Sequence, residues 1–109
     1  MDTKRGDVFW VSFDPSLGGE IKKTRPAVIV STDRANPYLN RVAIVPLSSR
    51  TGKVYPSEVK VVLNNKEHKA MADQIRVVSK QRLLSRIDVL SSEEMKKIEE
   101  KIKLFLDLI

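Results

Sequence analysis

The sequence predicts a mainly β domain, a small and strongly bent antiparallel sheet or barrel with one amphipathic helix packed against it. Short apolar stretches separated by turn-forming residues recur through residues 1–90, which is typical of antiparallel strands. From residue 91 onward, apolar positions instead recur every three or four residues, which is typical of a helix. A chain of 109 residues suits one core, so we assign 1–109 to a single domain.

Six stretches have the composition of strands, and the alternation within each predicts which face is buried. The predicted strands are 8–13, 26–30, 41–47, 57–63, 69–78 and 87–90. The second is apolar throughout, which predicts a central strand covered on both faces. In the third, Pro46 predicts a bulge or an edge, because proline cannot donate to the ladder. In the fourth, alternation directs Val59 and Val61 inward and Glu58 and Lys60 outward.

The first strand carries two adjacent aromatic residues. Phe9 shares one predicted face with Val11 and Phe13, while Trp10 lies on the other face. Phe9 and Trp10 therefore cannot both enter the same core. One of them stacks against a base or a partner residue, or else the strand has a second packed face.

The connections are predicted from turn and capping residues. Residues 31–38 form a loop with one helical turn capped by Ser31 or Thr32, and residues 64–66 form a tight turn. Ser79 caps a short helical turn that extends to Leu84.

The C-terminal helix is predicted to begin at a capping box formed by Ser91 and Glu94. Its apolar stripe consists of Met95, Ile98, Ile102, Phe105, Leu106 and Ile109. Such a stripe packs either on the protein's own core or on a partner, and base rates favour the core.

Composition excludes several kinds of site. The absence of cysteine excludes a disulfide scaffold, a thiol nucleophile and any Cys-ligated metal. The single histidine, His68, lies beside Glu67 and Lys69 in a predicted turn and is interpreted as a surface residue; a pair of catalytic imidazoles is excluded. We expect no metal and no cofactor. The start has no apolar core typical of a signal peptide, and no apolar run is long enough for a membrane span, so we expect a cytoplasmic protein.

The positive charge is concentrated before the helix. The net charge is +6 and the pI is about 9.7. From residue 91 onward there are four lysines and five acids, so residues 1–90 contain 16 basic and 9 acidic residues, a balance of +7. Nucleic acid or an acidic protein segment is the natural partner of such a surface, although ordinary solubility charge explains a value of this size equally well.

Arg25 lies where a charged, glycine-containing loop enters the second strand. Pro26 disfavours helical backbone at Arg25, which places the guanidinium on extended backbone at the mouth of the sheet. A guanidinium in that position suits bidentate binding of a phosphate. A strand-edge ion pair with a carboxylate is the alternative.

Polar residues gather at three further points. Lys22 and Lys23 lie on the same loop as Glu20, Ser48 begins a polar turn after the third strand, and Asp73 interrupts an apolar stretch. Arginine, hydroxyl and carboxylate groups without metal ligands suit phosphoryl transfer on RNA, because the ribose 2′-OH is itself the nucleophile.

Each of these residues also has a purely structural interpretation. Glu20 is then a solvated loop residue, and Ser48 makes a local bond to the backbone. Asp73 is then a structural acid bonded to Arg76, to Arg25 or to backbone amides.

The order of these motifs resembles the MazF/PemK family, the toxin ribonucleases of bacterial and archaeal toxin–antitoxin systems. The resemblance covers almost the whole chain. It is carried by Arg5-Gly6-Asp7-Val8-Phe9-Trp10-Val11, Phe13-Asp14-Pro15, Gly18-Gly19-Glu20, Thr24-Arg25-Pro26-Ala27-Val28, Val45-Pro46-Leu47-Ser48-Ser49, Tyr55-Pro56-Ser57-Glu58-Val59 and Ala72-Asp73-Gln74-Ile75-Arg76.

The resemblance implies an SH3-like barrel with a C-terminal helix that works as a homodimer. It further implies metal-independent, sequence-selective cleavage of single-stranded RNA that leaves a cyclic phosphate and a 5′-hydroxyl. The implied partner is an acidic, MazE-like antitoxin that covers the RNA groove, with contact to DNA only through that antitoxin.

Residue by residue, the resemblance implies a catalytic role for Arg25, Ser48, Glu20 and Asp73. Arg25 matches the catalytic arginine and is assigned charge stabilisation first, because arginine deprotonates poorly. Ser48 replaces a threonine but keeps the hydroxyl. Glu20 falls on the acid that some members need, and Asp73 matches an acid proposed as general base. The residues predicted to contact RNA are Lys22, Lys23, Thr24, Ser49, Arg50, Gln74 and Arg76.

Two departures leave other functions open. The first loop lacks the histidine of some relatives, so no imidazole acts from that loop. A binding module on the same fold, either a topoisomerase poison or a non-cleaving RNA-binding barrel, is the alternative function. A toxin inactivated by the serine at position 48 is the third.

Overall fold

The computed structural model describes residues 2–13 and 24–108, and these form a bent antiparallel sheet with one C-terminal helix. The strands are β1 (Asp7–Ser12), β2 (Thr24–Ile29), β3 (Arg41–Ser48), β4 (Glu58–Leu63), β5 (Lys66–Met71), β6 (Arg76–Ser79) and β7 (Leu83–Val89). The helix α1 spans Ser92–Phe105, and short 3₁₀ helices span Ala72–Gln74 and Lys80–Arg82. The predicted fold class is confirmed.

The sheet bends at β3, which changes partner along its length. The strand order is β4-β5-β3-β2-β1-β7, and β6 also pairs with β3. Residues 41–44 of β3 pair with β6, whereas Leu47 and Ser48 pair with β5. Pro46 lies between these two pairings and faces Ala27 of β2 on its other side. The proline therefore occupies a local edge of β3, where its missing amide hydrogen costs no bond to β5 or β6.

The two faces of the sheet bury separate apolar clusters. Val8 and Val28 lie on one face, which α1 covers with Met95 and Ile98. Phe9 lies on the other face, within a second cluster. Because the central part of β2 contributes to both clusters, its residues Ala27, Val28 and Ile29 are completely buried, as the uninterrupted apolar sequence predicted.

Local signals predicted several connections correctly. Asn64 and Asn65 both have positive φ, 49° and 62°, and close a two-residue hairpin between β4 and β5. Ser79 Oγ accepts a hydrogen bond from Gln81 N at the start of the second 3₁₀ helix. Residues 31–38 form a turn in which Thr32 O accepts from the amides of Ala35 and Asn36.

The capping box at the start of α1 is also present. Ser91 Oγ accepts from Glu94 N at 3.1 Å, and Glu94 Oε1 accepts from Ser91 N at 2.9 Å. Glu94 Oε2 additionally accepts from Val62 N at 2.7 Å, which ties the start of the helix to β4.

Three predictions were wrong. The apolar stretch 69–78 is not one strand, because the 3₁₀ helix at Ala72–Gln74 separates β5 from β6. The last strand begins at Leu83, earlier than predicted. Glu58 does not point into solvent; its side chain is only 8% exposed and contacts Lys69 Nζ at 3.0 Å.

The apolar stripe of α1 is core only in its first half. Met95 and Ile98 are buried and Ile102 packs against them, but Phe105 and Leu106 are 52% and 46% exposed. Ile109 lies outside the described residues. Of the helices that the structure describes, none combines the length and apolar character required to cross a membrane.

Candidate active site

The candidate site begins where β2 and β3 stop pairing. Their described register runs from Ile29↔Ile44 to Ala27↔Pro46 and ends there. Val30 N donates to Ala43 O, so by alternation the amides at positions 28 and 26 also face β3; Pro26 has no amide hydrogen, so β2 offers β3 no donor beyond Val28. Beyond it, β3 continues with β5 while β2 continues with β1. The sheet thus opens at the N-terminal end of β2, where Pro26 gives β3 no donor.

A cavity of about 490 Å³ lies at this opening. It is lined by Trp10, Arg25, Pro26, Leu47, Ser48, Ser49, Arg50 and His68. These residues come from β1, β2, β3, β5 and the turn after β3. Two are arginines and the described lining contains no carboxylate, so the cavity presents cationic and hydroxyl groups together with aromatic rings. This chemistry suits a phosphate attached to an unpaired base.

Arg25 and Ser48 reach the cavity from neighbouring strands. The register that pairs Ala27 with Pro46 would, continued by two residues, place Arg25 directly across from Ser48. Both residues are half-buried. Pro26 predicted that Arg25 lies on extended backbone at the start of the second strand. The structure places it there, and its side chain lines the same cavity as Ser48.

The Ser48 hydroxyl is oriented by its own turn. Its Oγ accepts a hydrogen bond from Arg50 N at 3.1 Å. This is the local backbone bond considered as the structural interpretation of Ser48, and it leaves the hydroxyl hydrogen available to donate. The turn therefore fixes the oxygen and allows the proton to point at an acceptor such as a phosphate oxygen.

Trp10 and Phe9 have separate environments. Phe9 is 1% exposed in the core, whereas Trp10 is 39% exposed and lines the cavity. The alternation in β1 explains this difference, because Trp10 pairs with Pro26 on the face that continues into the cavity. The aromatic ring is thus available for stacking at the site.

His68 is the lining residue that the sequence reasoning missed. It was interpreted as a surface residue in a turn, but it lies within β5, half-buried, and is paired with Val61 of β4. Its Nδ1 donates to Lys66 O at 3.2 Å. The predicted hairpin could have indicated its position. If the strand 57–63 pairs with the residues after the 64–66 turn, His68 lies opposite Val61 and on the same face of the sheet.

The structure gathers only some of the predicted site residues. Ser49 and Arg50 line the cavity, whereas Thr24 is exposed at the start of β2 and is not part of the described lining. Glu20, Lys22 and Lys23 lie outside the described residues.

The motif around Asp73 lies elsewhere. Asp73 and Gln74 are exposed in the first 3₁₀ helix, and neither belongs to the cavity lining that the structure describes. The Gln74 amide nitrogen lies 3.6 Å from Met71 Sδ. The Arg76 guanidinium lies 5.3 Å from the centre of the Phe13 ring, where it makes a cation–π contact.

A buried ion pair supports the segment that follows the cavity. Lys69 Nζ contacts Glu58 Oε1 at 3.0 Å and donates to Lys53 O at 2.9 Å, while Tyr55 N donates to Glu58 Oε1 at 2.8 Å. The two charged side chains are 11% and 8% exposed. Lys69 adjoins His68 in β5, so this network holds the chain after Arg50 against the strand that carries the imidazole.

Within residues 2–13 and 24–108, no three or more His, Cys, Asp or Glu side chains form a group that could hold a metal ion. The polar groups described at the cavity are nitrogen donors, hydroxyls and one imidazole.

Comparison with known proteins gives a consistent result. Residues 4–106 match the model of the PemK-like, MazF-like toxins of type II toxin–antitoxin systems. The chain is 39% identical to endoribonuclease MazF9 of Mycobacterium tuberculosis over 96% of its own length and 97% of that protein.

Solved structures of low sequence identity share the fold. MazF from Deinococcus radiodurans has a TM-score of 0.84 at 23% identity, with 98% of each chain covered. A mycobacterial endoribonuclease solved in complex with its cognate antitoxin has a TM-score of 0.83 at 22% identity, covering 99% of this chain and 98% of that one.

Proposed function

The chain belongs to the PemK-like, MazF-like toxins of type II toxin–antitoxin systems, and on this premise we propose that it cleaves single-stranded RNA in the cavity lined by Arg25 and Ser48. The observation that supports this site most strongly is the meeting of a half-buried guanidinium and an oriented hydroxyl where the sheet opens. The named activity of the 39%-identical mycobacterial relative is consistent with it.

The proposed reaction uses the RNA's own nucleophile. The ribose 2′-oxygen attacks the adjacent phosphorus, the bond to the 5′-oxygen breaks, and the products are a cyclic phosphate and a 5′-hydroxyl. Negative charge grows on the non-bridging phosphate oxygens during this step. Arg25 stabilises that charge as a fixed cation, and the Ser48 hydroxyl donates a hydrogen bond to it. Neither group needs to change protonation state.

We propose that no metal takes part. The described donors at the cavity, guanidinium, hydroxyl and imidazole, include no carboxylate, and carboxylates are the usual protein ligands of Mg²⁺. Glu20, which precedes β2 in the sequence, is proposed as a catalytic acid, whereas Asp73 is exposed and outside the described lining of the cavity. Arg50 and Ser49 are proposed to bind the RNA backbone beside the cleaved phosphate.

The partner of the resting protein is proposed to be an acidic, MazE-like antitoxin. The balance of +7 on residues 1–90 attracts an acidic segment and an RNA strand to the same surface. The mycobacterial structural neighbour was solved with its own antitoxin. We propose that the protein acts in the cytoplasm and contacts DNA only through that antitoxin.

A homodimer is proposed from the exposed end of α1. The apolar residues at and just beyond the end of the helix, Leu104, Phe105, Leu106 and Leu108, are between 46% and 62% exposed. An apolar patch of this kind is usually covered by a partner. Light scattering on the purified protein should give the mass of two chains, and Phe105→Asp should reduce it to one.

One experiment tests the function. Purified protein is incubated with a long single-stranded RNA in buffer containing a chelator, and the fragment ends are mapped. We expect a small set of cleavage sites, each with a cyclic phosphate on one fragment and a 5′-hydroxyl on the other. Intact RNA at every protein concentration would contradict the proposal and favour a binding module instead. Cleavage that occurs without the chelator but not with it would contradict the proposed metal independence and leave the proposed RNA cleavage standing.

A further inference from the structure

The reaction proposed above needs a group that removes the 2′-hydroxyl proton, and the acid predicted for that role lies elsewhere. Asp73 is exposed in a 3₁₀ helix and is not among the described lining residues of the cavity. His68, in contrast, lines the cavity together with Arg25 and Ser48. Resting on the proposed function, we propose that the imidazole of His68 is the general base of RNA cleavage, with Nε2 as the proton acceptor.

The register of the sheet places His68 on the opposite side from Arg25 and Ser48, and the three residues meet in the cavity at the opening, which residues of both sides line. Val61 pairs with His68, and Leu47 pairs with Ala70, two residues further along β5. Side chains two residues apart on a strand share a face, so His68 and Leu47 lie on the same side of the sheet. Val8 pairs with Val28, and both belong to the same apolar cluster as Leu47. Trp10 and Pro26 also pair with each other, and each is two residues from one of these valines on its own strand, so both lie on this side as well.

That sheet face is only partly covered. The helix α1 packs over it through Met95 and Ile98, and the cavity occupies the part near the opening between β2 and β3. His68 therefore belongs to a buried face at the point where that face becomes accessible. This explains why the ring is half-buried rather than exposed.

The hydrogen bond of the ring selects its tautomer. Lys66 O can only accept, so His68 Nδ1 must carry the hydrogen of their 3.2 Å contact. In the neutral ring, Nε2 then has a free lone pair, which is the form a general base needs. A backbone carbonyl that orients an imidazole in this way commonly fixes which nitrogen reacts.

The charged groups around the ring are cationic. Arg25 of β2 and Arg50 of the turn after β3 line the same cavity as the ring, and Lys66 precedes His68 on the same face of β5. The cross-strand neighbour on β4 is Val61, which carries no charge. Cations in these positions bind the phosphate and leave the imidazole as the described lining group able to accept a proton.

The proton balance is simple. The O2′–P bond forms while the P–O5′ bond breaks, and the 2′ proton moves to His68 Nε2. The 5′-oxygen takes a proton from solvent, and the imidazolium later returns one to solvent. No oxidant, reductant or additional reactant is required.

The experiment compares the parent with His68→Gln, which keeps a polar side chain but cannot accept the proton. Single-turnover cleavage of one defined RNA is measured from about pH 5 to 8, the range in which histidine side chains change charge. The parent rate should rise with pH, whereas the variant should be about a hundredfold slower or more and lose that rise. A variant within about threefold of the parent, or one that keeps the rise, would overturn the proposal.

A second measurement needs no variant. His68 is the only histidine in the chain, so its imidazole signals in a proton NMR titration are unambiguous. The titration midpoint in the free protein should coincide with the midpoint of the pH dependence of kcat/KM, because both report the free enzyme. A kinetic midpoint more than about one pH unit away would assign the base to another group, such as Glu20.

A substrate with sulfur in place of the bridging 5′-oxygen distinguishes base from acid. Sulfur leaves without protonation, so it rescues the loss of a general acid but not of a general base. The His68→Gln defect should therefore persist on this substrate, and its disappearance would contradict the assignment as base. If the parent cleaves no RNA at any pH, the proposed function fails; if the parent cleaves and the variant matches it, only the role of His68 fails.

Discussion

Arg25 and Ser48 line one cavity, although the described pairing of their strands ends at Ala27 and Pro46. Each of the two site residues lies two positions beyond this last pair on its own strand. The separation of β2 from β3 is therefore what turns two strand-end residues into a site. Pro26 at the junction removes the backbone donor that β2 would otherwise offer to β3. The site depends on the opening as much as on the side chains.

The first prediction concerns the hydroxyl at position 48. Ser48→Ala removes the donor proposed to contact the phosphate, so the single-turnover cleavage rate should fall by about a hundredfold. Ser48→Thr keeps the hydroxyl and the acceptor for Arg50 N, and should stay within about tenfold of the parent. Equal rates for the alanine variant and the parent would remove Ser48 from the catalytic site.

The second prediction concerns RNA affinity and Trp10. Loss of a stacking ring costs about 1–3 kcal/mol per base, so Trp10→Ala should weaken RNA binding by about tenfold or more. Binding is measured by titration in an Arg25→Ala background, in which cleavage should be about a hundredfold slower. Tyr38→Ala, which removes an 83% exposed ring from outside the described lining, is the matched control and should leave affinity unchanged. Equal effects of the two substitutions would indicate that no base stacks on Trp10.

The third prediction concerns stability and the buried ion pair. Lys69→Met leaves Glu58 buried without its cation and should lower the free energy of unfolding by about 3 kcal/mol. Lys60→Met on the same hairpin breaks an exposed pair with Glu67 at 3.9 Å and should change stability by less than about 0.5 kcal/mol. Urea denaturation measures both values. Similar losses would show that the burial of the Lys69–Glu58 pair contributes little.

The fourth prediction concerns acid stability. Hydrogen bonds from Arg5 N at 2.9 Å and from the Asn36 amide at 3.0 Å lower the pKa of Asp33 below its usual 3.8. A lowered carboxyl pKa contributes stability that is present above the unfolded value and lost as the pH falls through the folded value. The melting-temperature gap between the parent and Asp33→Asn should therefore be larger at pH 6 than below about pH 3.

Asp2→Asn serves as the control for that experiment. Asp2 is exposed and lies 3.8 Å from the Lys4 ammonium in a surface ion pair, so its substitution should leave little gap at either pH. A gap for Asp33→Asn that does not change with pH would show that its hydrogen bonds do not depend on the charge.

Features set by neighbouring residues in the chain could be predicted from the sequence. The capping box of Ser91 and Glu94 and the turn at Asn64 and Asn65 depend on local backbone preferences, so each appeared where the sequence indicated. The apolar residues 26–29 of β2 were likewise predicted to be central, because an uninterrupted apolar run is typical of a strand covered on both faces.

Features set by pairing between strands that are distant in the sequence could not be predicted in this way. The direction of Glu58 depends on Lys69 of the neighbouring strand, since burial requires the partner charge, and alternation alone placed the carboxylate in solvent. His68 was assigned to the surface for the same reason, because its face is set by pairing with Val61. The break at Asp73 was missed, because the apolar residues on both sides of the 3₁₀ helix resemble one continuous strand.

The most direct test of the account is the cleavage rate of Arg25→Ala on one defined single-stranded RNA. Arg41→Ala, which removes an exposed guanidinium from the start of β3 and outside the described lining, is the control. We expect Arg25→Ala to lose about a hundredfold or more in single-turnover rate, the usual effect of removing one transition-state donor, with affinity within about tenfold and an unchanged fold. Cleavage by Arg25→Ala at the rate of the parent would contradict the assignment of the cavity as the active site.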